Sequence, residues 1–205
     1  MSDISRPDQA AATVPDRRSV LGILGLSTPL LSLATCVAVA EEAAPAPEAP
    51  SATLAIGDRF VRASADPATA KALTLEEIAA TKSFVAVYPL DPKTGAVRRE
   101  TRSNMINFIK LDPAVLKGDS VSLAASGVVA YSALCTHKAC TVSSWKAAEN
   151  RWRCFCHLSE FDAADGGKVV GGPAQTPLPT VGLAVDAEGF LIAATVFSRK
   201  PGASV

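Results

Sequence analysis

The chain has 205 residues, with 20 Lys and Arg against 20 Asp and Glu, so its formal net charge is zero. That balance offers no basic footprint for a polyanion and excludes nucleic acid as the expected partner. Hydrophobic residues at 48% and charged residues at 20% describe a globular chain rather than a disordered one, and the length suits one domain with appendages. Only two histidines are present, His137 and His157, which excludes any mechanism that needs three imidazoles.

Residues 1–19 are polar and end in Asp16-Arg17-Arg18-Ser19; from Val20 to Ala40 no residue is charged. A basic segment, an apolar run and the small residues Ala38-Val39-Ala40 before Glu41 read as an export signal. The paired arginines directly ahead of the apolar run indicate the twin-arginine route, which carries folded cargo. Two rivals remain. The apolar run is about the length that spans a bilayer, so a retained membrane anchor over residues 20–40, weakened by Gly22, Gly25 and Pro29, is the alternative to the signal, and Leu33-Ala34-Thr35-Cys36 loosely resembles a lipid-attachment site. All three place the folded part outside the cytoplasmic membrane of a bacterium, in the periplasm. Residues 41–53 follow as an Ala/Pro/Glu tether with no apolar periodicity.

The folded part is expected over residues 54–205. The segment 73–81 (LTLEEIAAT) gives one or two helical turns, with Glu76 and Glu77 facing water. Short β-rich runs dominate: 84–88, 105–111, 127–134, 151–155, 168–170, 183–186 and 190–194. They are separated by turn signals such as Asp91-Pro92, Asp112-Pro113, Asp165-Gly166-Gly167 and Glu188-Gly189. The pattern predicts an all-β fold, an antiparallel sandwich or small barrel. Asp112-Pro113 fits a single helical turn ended by Gly118. The basic residues Arg98, Arg99 and Arg102 read as a solvated loop, with a docking surface as the alternative.

Chemistry concentrates in two clusters, Cys135-Thr-His137-Lys-Ala-Cys140 and Cys154-Phe-Cys156-His157-Leu-Ser159. Each holds two cysteines and one histidine, and 16 residues separate His137 from Cys154. A hairpin with long tips brings two such loops side by side, each offering one thiolate and one imidazole. Mixed sulfur and nitrogen ligation suits zinc or iron–sulfur chemistry, but neither pair has the usual zinc spacing. Two ordinary disulfides would explain the cysteines of an exported domain while leaving both histidines without a role. The reading adopted is a 2Fe-2S cluster, one iron held by Cys135 and Cys154 and the other by His137 and His157. Cys140 and Cys156, one per loop, are then free to bridge the loops in an oxidising compartment.

The segments CTHKAC and CFCHLSEFD, with GGPAQTPLP at 171–179, resemble the two cluster-binding boxes and the proline loop of Rieske iron–sulfur proteins. The resemblance covers about residues 84–195. It implies a Rieske-type β-sandwich or barrel with an inserted cluster-binding subdomain, here about 128–180. It implies Cys135, His137, Cys154 and His157 as metal ligands, Ser159 as a hydroxyl donor to the cluster, Cys140–Cys156 as the inter-loop disulfide, and Gly172-Pro173 as the covering loop. The chain departs from that pattern at Phe155, Leu158 and Lys138, and at Phe161, where a tyrosine that donates to a ligand cysteine is common. In an all-ferric Rieske cluster the charges of iron, sulfide and thiolate cancel, which eases reduction. The resulting potentials run from about −150 to +300 mV, against about −400 mV for plant-type clusters. With Ser159 present and the tyrosine absent, a middle value is expected.

One-electron transfer is therefore the expected activity, with no substrate-converting site of the chain's own. Rieske-type oxygenases are excluded, since no histidine is left for a second iron site. The tail GFLIAATVFSRKPG, the entry strand VVAYSALCTH and the combination of Ser159 with Phe161 resemble the arsenite oxidase small subunit. They imply a large molybdopterin-type catalytic subunit as electron source and a soluble cytochrome c or copper protein as acceptor. The alternatives are the Rieske subunit of a quinol–cytochrome c oxidoreductase and a freestanding Rieske ferredoxin. Trp145 and Trp152, in the hairpin between the ligand loops, are expected to pack against the base of the domain.

Overall fold

The structure, a computed structural model, describes residues 53–203. The expected signal or anchor and residues 41–52 of the tether lie outside the described residues, as does any membrane segment there.

Among the described residues, eleven short strands carry the fold: β1 Arg59–Arg62, β2 Val85–Leu90, β3 Ile106–Lys110, β4 Val128–Ser132, β5 Ser144–Lys146, β6 Arg151–Arg153, β7 Glu160–Asp162, β8 Lys168–Gly171, β9 Thr180–Val181, β10 Leu183–Val185 and β11 Leu191–Ala193. Two five-residue helices, α1 Leu75–Ala79 and α2 Asp119–Leu123, complete the regular elements together with three 3-10 turns. All strand pairs are antiparallel. They form a seven-stranded sheet in the order β10-β11-β1-β2-β3-β4-β9 and a four-stranded sheet in the order β5-β6-β7-β8. Because Gly182 alone separates β9 from β10, the two ends of the larger sheet meet and the base is a nearly closed barrel. Such closure leaves few unpaired edges.

The smaller sheet is wholly inserted between β4 and β9, and β3 and β4 join the two parts. Every residue of β4 is buried. Val128 and Ala130 point into the barrel core with Phe60, Ile106 and Phe108, whereas Val129 and Tyr131 point into a second core with Trp152, Phe161, Cys135 and Cys154. A strand buried on both faces reads as an unbroken apolar run, which is how 127–134 appears in the sequence. Beyond packing, Tyr131 clasps the parts together. Its hydroxyl donates to the Ala163 carbonyl at 2.8 Å and lies 2.9 Å from Ser120 Oγ, which accepts from the Gly166 N–H. Burial pushes the Tyr131 phenol far above its ordinary range, so it stays a neutral donor.

Several expectations change. The run 151–155 stops as a strand at Arg153, because the backbone turns at Cys154 into a loop. Strands β1, β5, β7 and β9, of two to four residues each, carry too little pattern to be read. Asp112 does cap a turn starting at Pro113, but that turn ends at Val115, and Gly118 instead precedes α2. Glu77 is exposed yet does more than face water: it closes a capping box with Thr74 at the start of α1. The solvated-loop reading of the basic run fails at Arg98. Its guanidinium is buried and grips Asp58 with two bonds, at 2.8 and 3.0 Å, with Asp91 at 3.2 Å. Burial is tolerated because the charge is paired in the fork geometry arginine favours. Arg99 donates to the carbonyls of Ala63 and Ala65, and only Arg102 of the three is well exposed.

Candidate iron–sulfur site

Three loops at one end of the inserted sheet converge. The first leaves β4 at residue 133, the second leaves β6 at residue 154, and the third leaves β8 at residue 172. The first two are built alike. In each, the N–H of the leading cysteine donates to the carbonyl five residues on: Cys135 to Cys140 at 2.8 Å, Cys154 to Ser159 at 2.9 Å. In each, the fourth residue past that cysteine is left-handed, Ala139 at φ 56° and Leu158 at φ 60°. A left-handed side chain costs about 1–2 kcal/mol unless it is glycine, which explains why the pattern resembled by this chain has glycine where Leu158 stands.

The loops are tied pairwise. Cys140 and Cys156 form a disulfide joining the first and second. Thr136 Oγ1 donates to the Thr176 carbonyl at 2.7 Å, joining the first and third. Ser159 Oγ accepts from the Ala174 N–H at 3.1 Å, joining the second and third. Gly172, at φ 78°, lies so close to the second loop that a Cβ there would sit 2.5 Å from Ser159 Cα and 2.6 Å from the Leu158 carbonyl oxygen. Two further anchors come from the barrel. Asn107 Nδ2 donates to the Val142 carbonyl at 2.7 Å, and Arg102 reaches the Ala139 carbonyl and Thr141 Oγ1. Thr136, Ala174, Asn107 and Arg102 carry no sequence signal for this role, because their partners lie 15 to 40 residues away in the chain.

Within this cradle, Cys135 and Cys154 are buried free thiols. The groups that act on the Cys135 thiol are the Cys154 thiol, the Ser159 hydroxyl and the His137 backbone N–H. Burial raises the Cys135 thiol above its ordinary range; the His137 N–H and the Ser159 hydroxyl oppose the shift, and the neighbouring Cys154 adds to it. The rings of His137 and His157 meet edge to face, centroids 4.7 Å apart, at the rim. Desolvation, with His157 and Lys138 nearby, holds the His137 imidazole below its ordinary range and thus neutral near pH 7. The Cys154 sulfur lies within 4.8 Å of both disulfide sulfurs, which are already bonded to each other and so unavailable as ligands.

A metal group fits these residues. His137 Nδ1 is buried without a hydrogen-bond partner, a cost that a metal facing it would remove. Two thiols and two imidazoles, sulfur toward the core and nitrogen toward the rim, form the donor set expected of an unequally ligated iron pair. All seven expected site residues are gathered here, and Gly172 closes the cradle. Phe161, fully buried, pairs across the sheet with Trp152 and Val169. Trp152 packs under Phe84 of the barrel side at 5.3 Å and against Trp145 at 4.8 Å, as expected of a brace to the base. A cleft of about 180 Å³ elsewhere, bordered by Asp119, Asp165, Lys168 and Arg199, contains neither histidine nor cysteine.

Fold and site together define an iron–sulfur electron carrier. Residues 96–182 match the Rieske 2Fe-2S domain model, a stretch that contains both cysteine–histidine loops, and the cofactor that this match implies is a Rieske-type 2Fe-2S cluster. Over 106 residues the chain is 35% identical to the cytochrome bc1 complex Rieske iron–sulfur subunit of Streptomyces lividans, covering 51% of this chain and 62% of that protein. Over 77 residues it is 42% identical to the Haloferax mediterranei protein named "Putative respiratory nitrate reductase subunit Rieske", covering 38% of this chain and 34% of that one. The cyanobacterial plasma membrane Rieske protein PetC3 from Synechocystis PCC 6803 aligns over 60% of this chain and 95% of that chain, at 27% identity and a TM-score of 0.38. The chain thus spans less than two thirds of the length of these first two relatives.

Proposed function

We propose that the chain is the small electron-transfer subunit of an exported molybdenum oxidoreductase similar to arsenite oxidase, passing electrons to a cytochrome c or copper protein. In this reading Cys135, Cys154, His137 and His157 hold the cluster, which when bound supplies one-electron transfer. The residues around it have separate tasks. The Ser159 hydroxyl lowers the pKa of the Cys135 thiol and so favours added negative charge there. The disulfide and the Gly172 loop keep the loops from separating. Exposed His157 and partly exposed His137 put the nitrogen side at the surface, where electrons cross to a partner.

Lys138 carries the choice of complex. It is exposed beside His137, and docking that edge into an apolar quinol pocket would strip water from a charge, which is costly without a partner. A relative named as a nitrate reductase Rieske subunit supports assembly with a catalytic subunit outside the bc1 type. The second reading, a subunit of a quinol–cytochrome c oxidoreductase, is favoured by the relatives named as cytochrome bc1 complex subunits. Twin-arginine export to the periplasm, with residues 20–40 cleaved or kept as an anchor, belongs to both. Purification of the native complex separates them: molybdenum in the co-purified subunit supports the first, and haem b without molybdenum overturns it in favour of the second. A colourless sample, or one whose reduced form lacks the low average g signal of mixed nitrogen and sulfur ligation, would overturn the ligand assignment itself.

A further inference from the structure

We infer that the loop tip is a docking surface for an acidic electron-transfer protein, with an apolar centre around His157 and a positive rim at Lys138. The inference rests on the electron-carrier reading and deepens it by assigning the partner's chemistry. Phe155 and Leu158, on either side of His157, are 63% and 50% exposed, large values for apolar side chains on so small a tip. Isolated exposed apolar residues mean little, but two within two residues of the same exposed histidine, on one short loop, offer apolar surface from which a partner would exclude water.

The loops that form the tip carry charge of one sign. Segments 133–148, 152–159 and 171–182 contain Lys138, Lys146 and Arg153 and no Asp or Glu. Lys146 and Arg153 face carboxylates, Lys146 with Glu149 and Glu160 and Arg153 with Glu160. Among the described residues Lys138 has no ion pair, and Arg102, which braces the same loop through neutral oxygens, keeps its charge as well. A neutral protein therefore presents a positive, apolar-centred tip. Rim charges of this kind steer encounter and select partners of opposite sign, so the complementary surface is apolar at its centre and carries carboxylates where Lys138 lands.

The test uses the full, cluster-loaded chain, reduced, with an acidic blue-copper protein and a basic c-type cytochrome as probes. The second-order transfer rate to the acidic protein should fall as salt rises, and the rate to the basic one should rise or stay flat. Lys138→Glu should slow transfer to the acidic protein about tenfold at low salt and reverse its salt slope. Phe155→Ser with Leu158→Ser should weaken binding of the oxidised pair, read by NMR shift titration, and leave the slope in place. A wild-type rate to the acidic protein that ignores or rises with salt, or a Lys138→Glu rate within twofold of wild type, overturns the docking surface. Each variant is checked by electron paramagnetic resonance. A normal Rieske signal with salt-insensitive kinetics refutes docking alone, whereas wild type without the signal refutes the carrier reading and docking with it.

Discussion

Replacing Gly172 by alanine separates two costs that the structure locates at one atom. The backbone there is left-handed, φ 78°, which costs about 1–2 kcal/mol for any residue with a Cβ. The added methyl would also sit 2.5–2.6 Å from Ser159 Cα, the Ser159 nitrogen and the Leu158 carbonyl oxygen. These are backbone atoms of the second ligand loop, which cannot yield as a flexible side chain would. Forced displacement of that kind typically costs about 1–3 kcal/mol, giving about 2–5 kcal/mol in total. Gly189→Ala supplies the control, since Gly189 is also left-handed, φ 87°, but has nothing within 4 Å of the added atom. It should lose about 1–2 kcal/mol, the conformational part alone. Urea unfolding of both variants measures the costs, and iron and sulfide per chain measure the cradle. Gly172→Ala should retain less cluster than Gly189→Ala and be the less stable of the two. Equal losses, within about 0.5 kcal/mol, with full cluster content in both would show that the third loop does not press on the second, and the cradle would be wrong.

Three further outcomes are expected. Ser159→Ala removes a hydroxyl that acts on the Cys135 thiol. If that interaction is worth about 1–2 kcal/mol more to the reduced state, the potential falls by about 40–90 mV; protein-film voltammetry showing no fall would exclude the interaction as a tuning device. Asp58→Ala strands the buried Arg98 charge. It should cost about 3 kcal/mol, the low end for a broken buried pair, because Asp91 remains as a second partner; a loss under about 1 kcal/mol by urea unfolding would refute the buried pairing. The Asp91 carboxyl is held below its ordinary value first by the Lys93 N–H, against burial, with Thr94 and Arg98 assisting. The unfolded chain therefore takes up the proton more readily, and the stability Asp91 contributes is complete above the ordinary carboxylate range and lost as pH falls through its lower folded value. Stability measured against pH in that acid window should fall less steeply for Asp91→Asn than for wild type; parallel curves would show that Asp91 is not the group responsible.

The candidate ligand residues stand out in the sequence because they are local. Cys135 with His137, and Cys154 with His157, lie within three residues of each other in the chain, so donor type and spacing survive without tertiary information. The longer strands β2, β3 and β4 were legible for a related reason, since burial on one or both faces writes a pattern into five or six consecutive residues. The sequence by itself therefore determined an all-β chain with two thiol–imidazole loops. Tertiary structure alone decided the rest. Arg98 and Arg102 are neighbours in one basic run, yet one is sealed against Asp58, 40 residues away, and the other latches the first ligand loop. Gly172 meets Ser159 across a gap of 13 residues, and Thr136 finds Thr176 across 40. The loop contacts depend on where distant backbone atoms arrive, and a backbone carbonyl or N–H is the same group at nearly every position, so no residue type announces it in advance; the Arg98–Asp58 pair depends likewise on two side chains 40 residues apart being brought together.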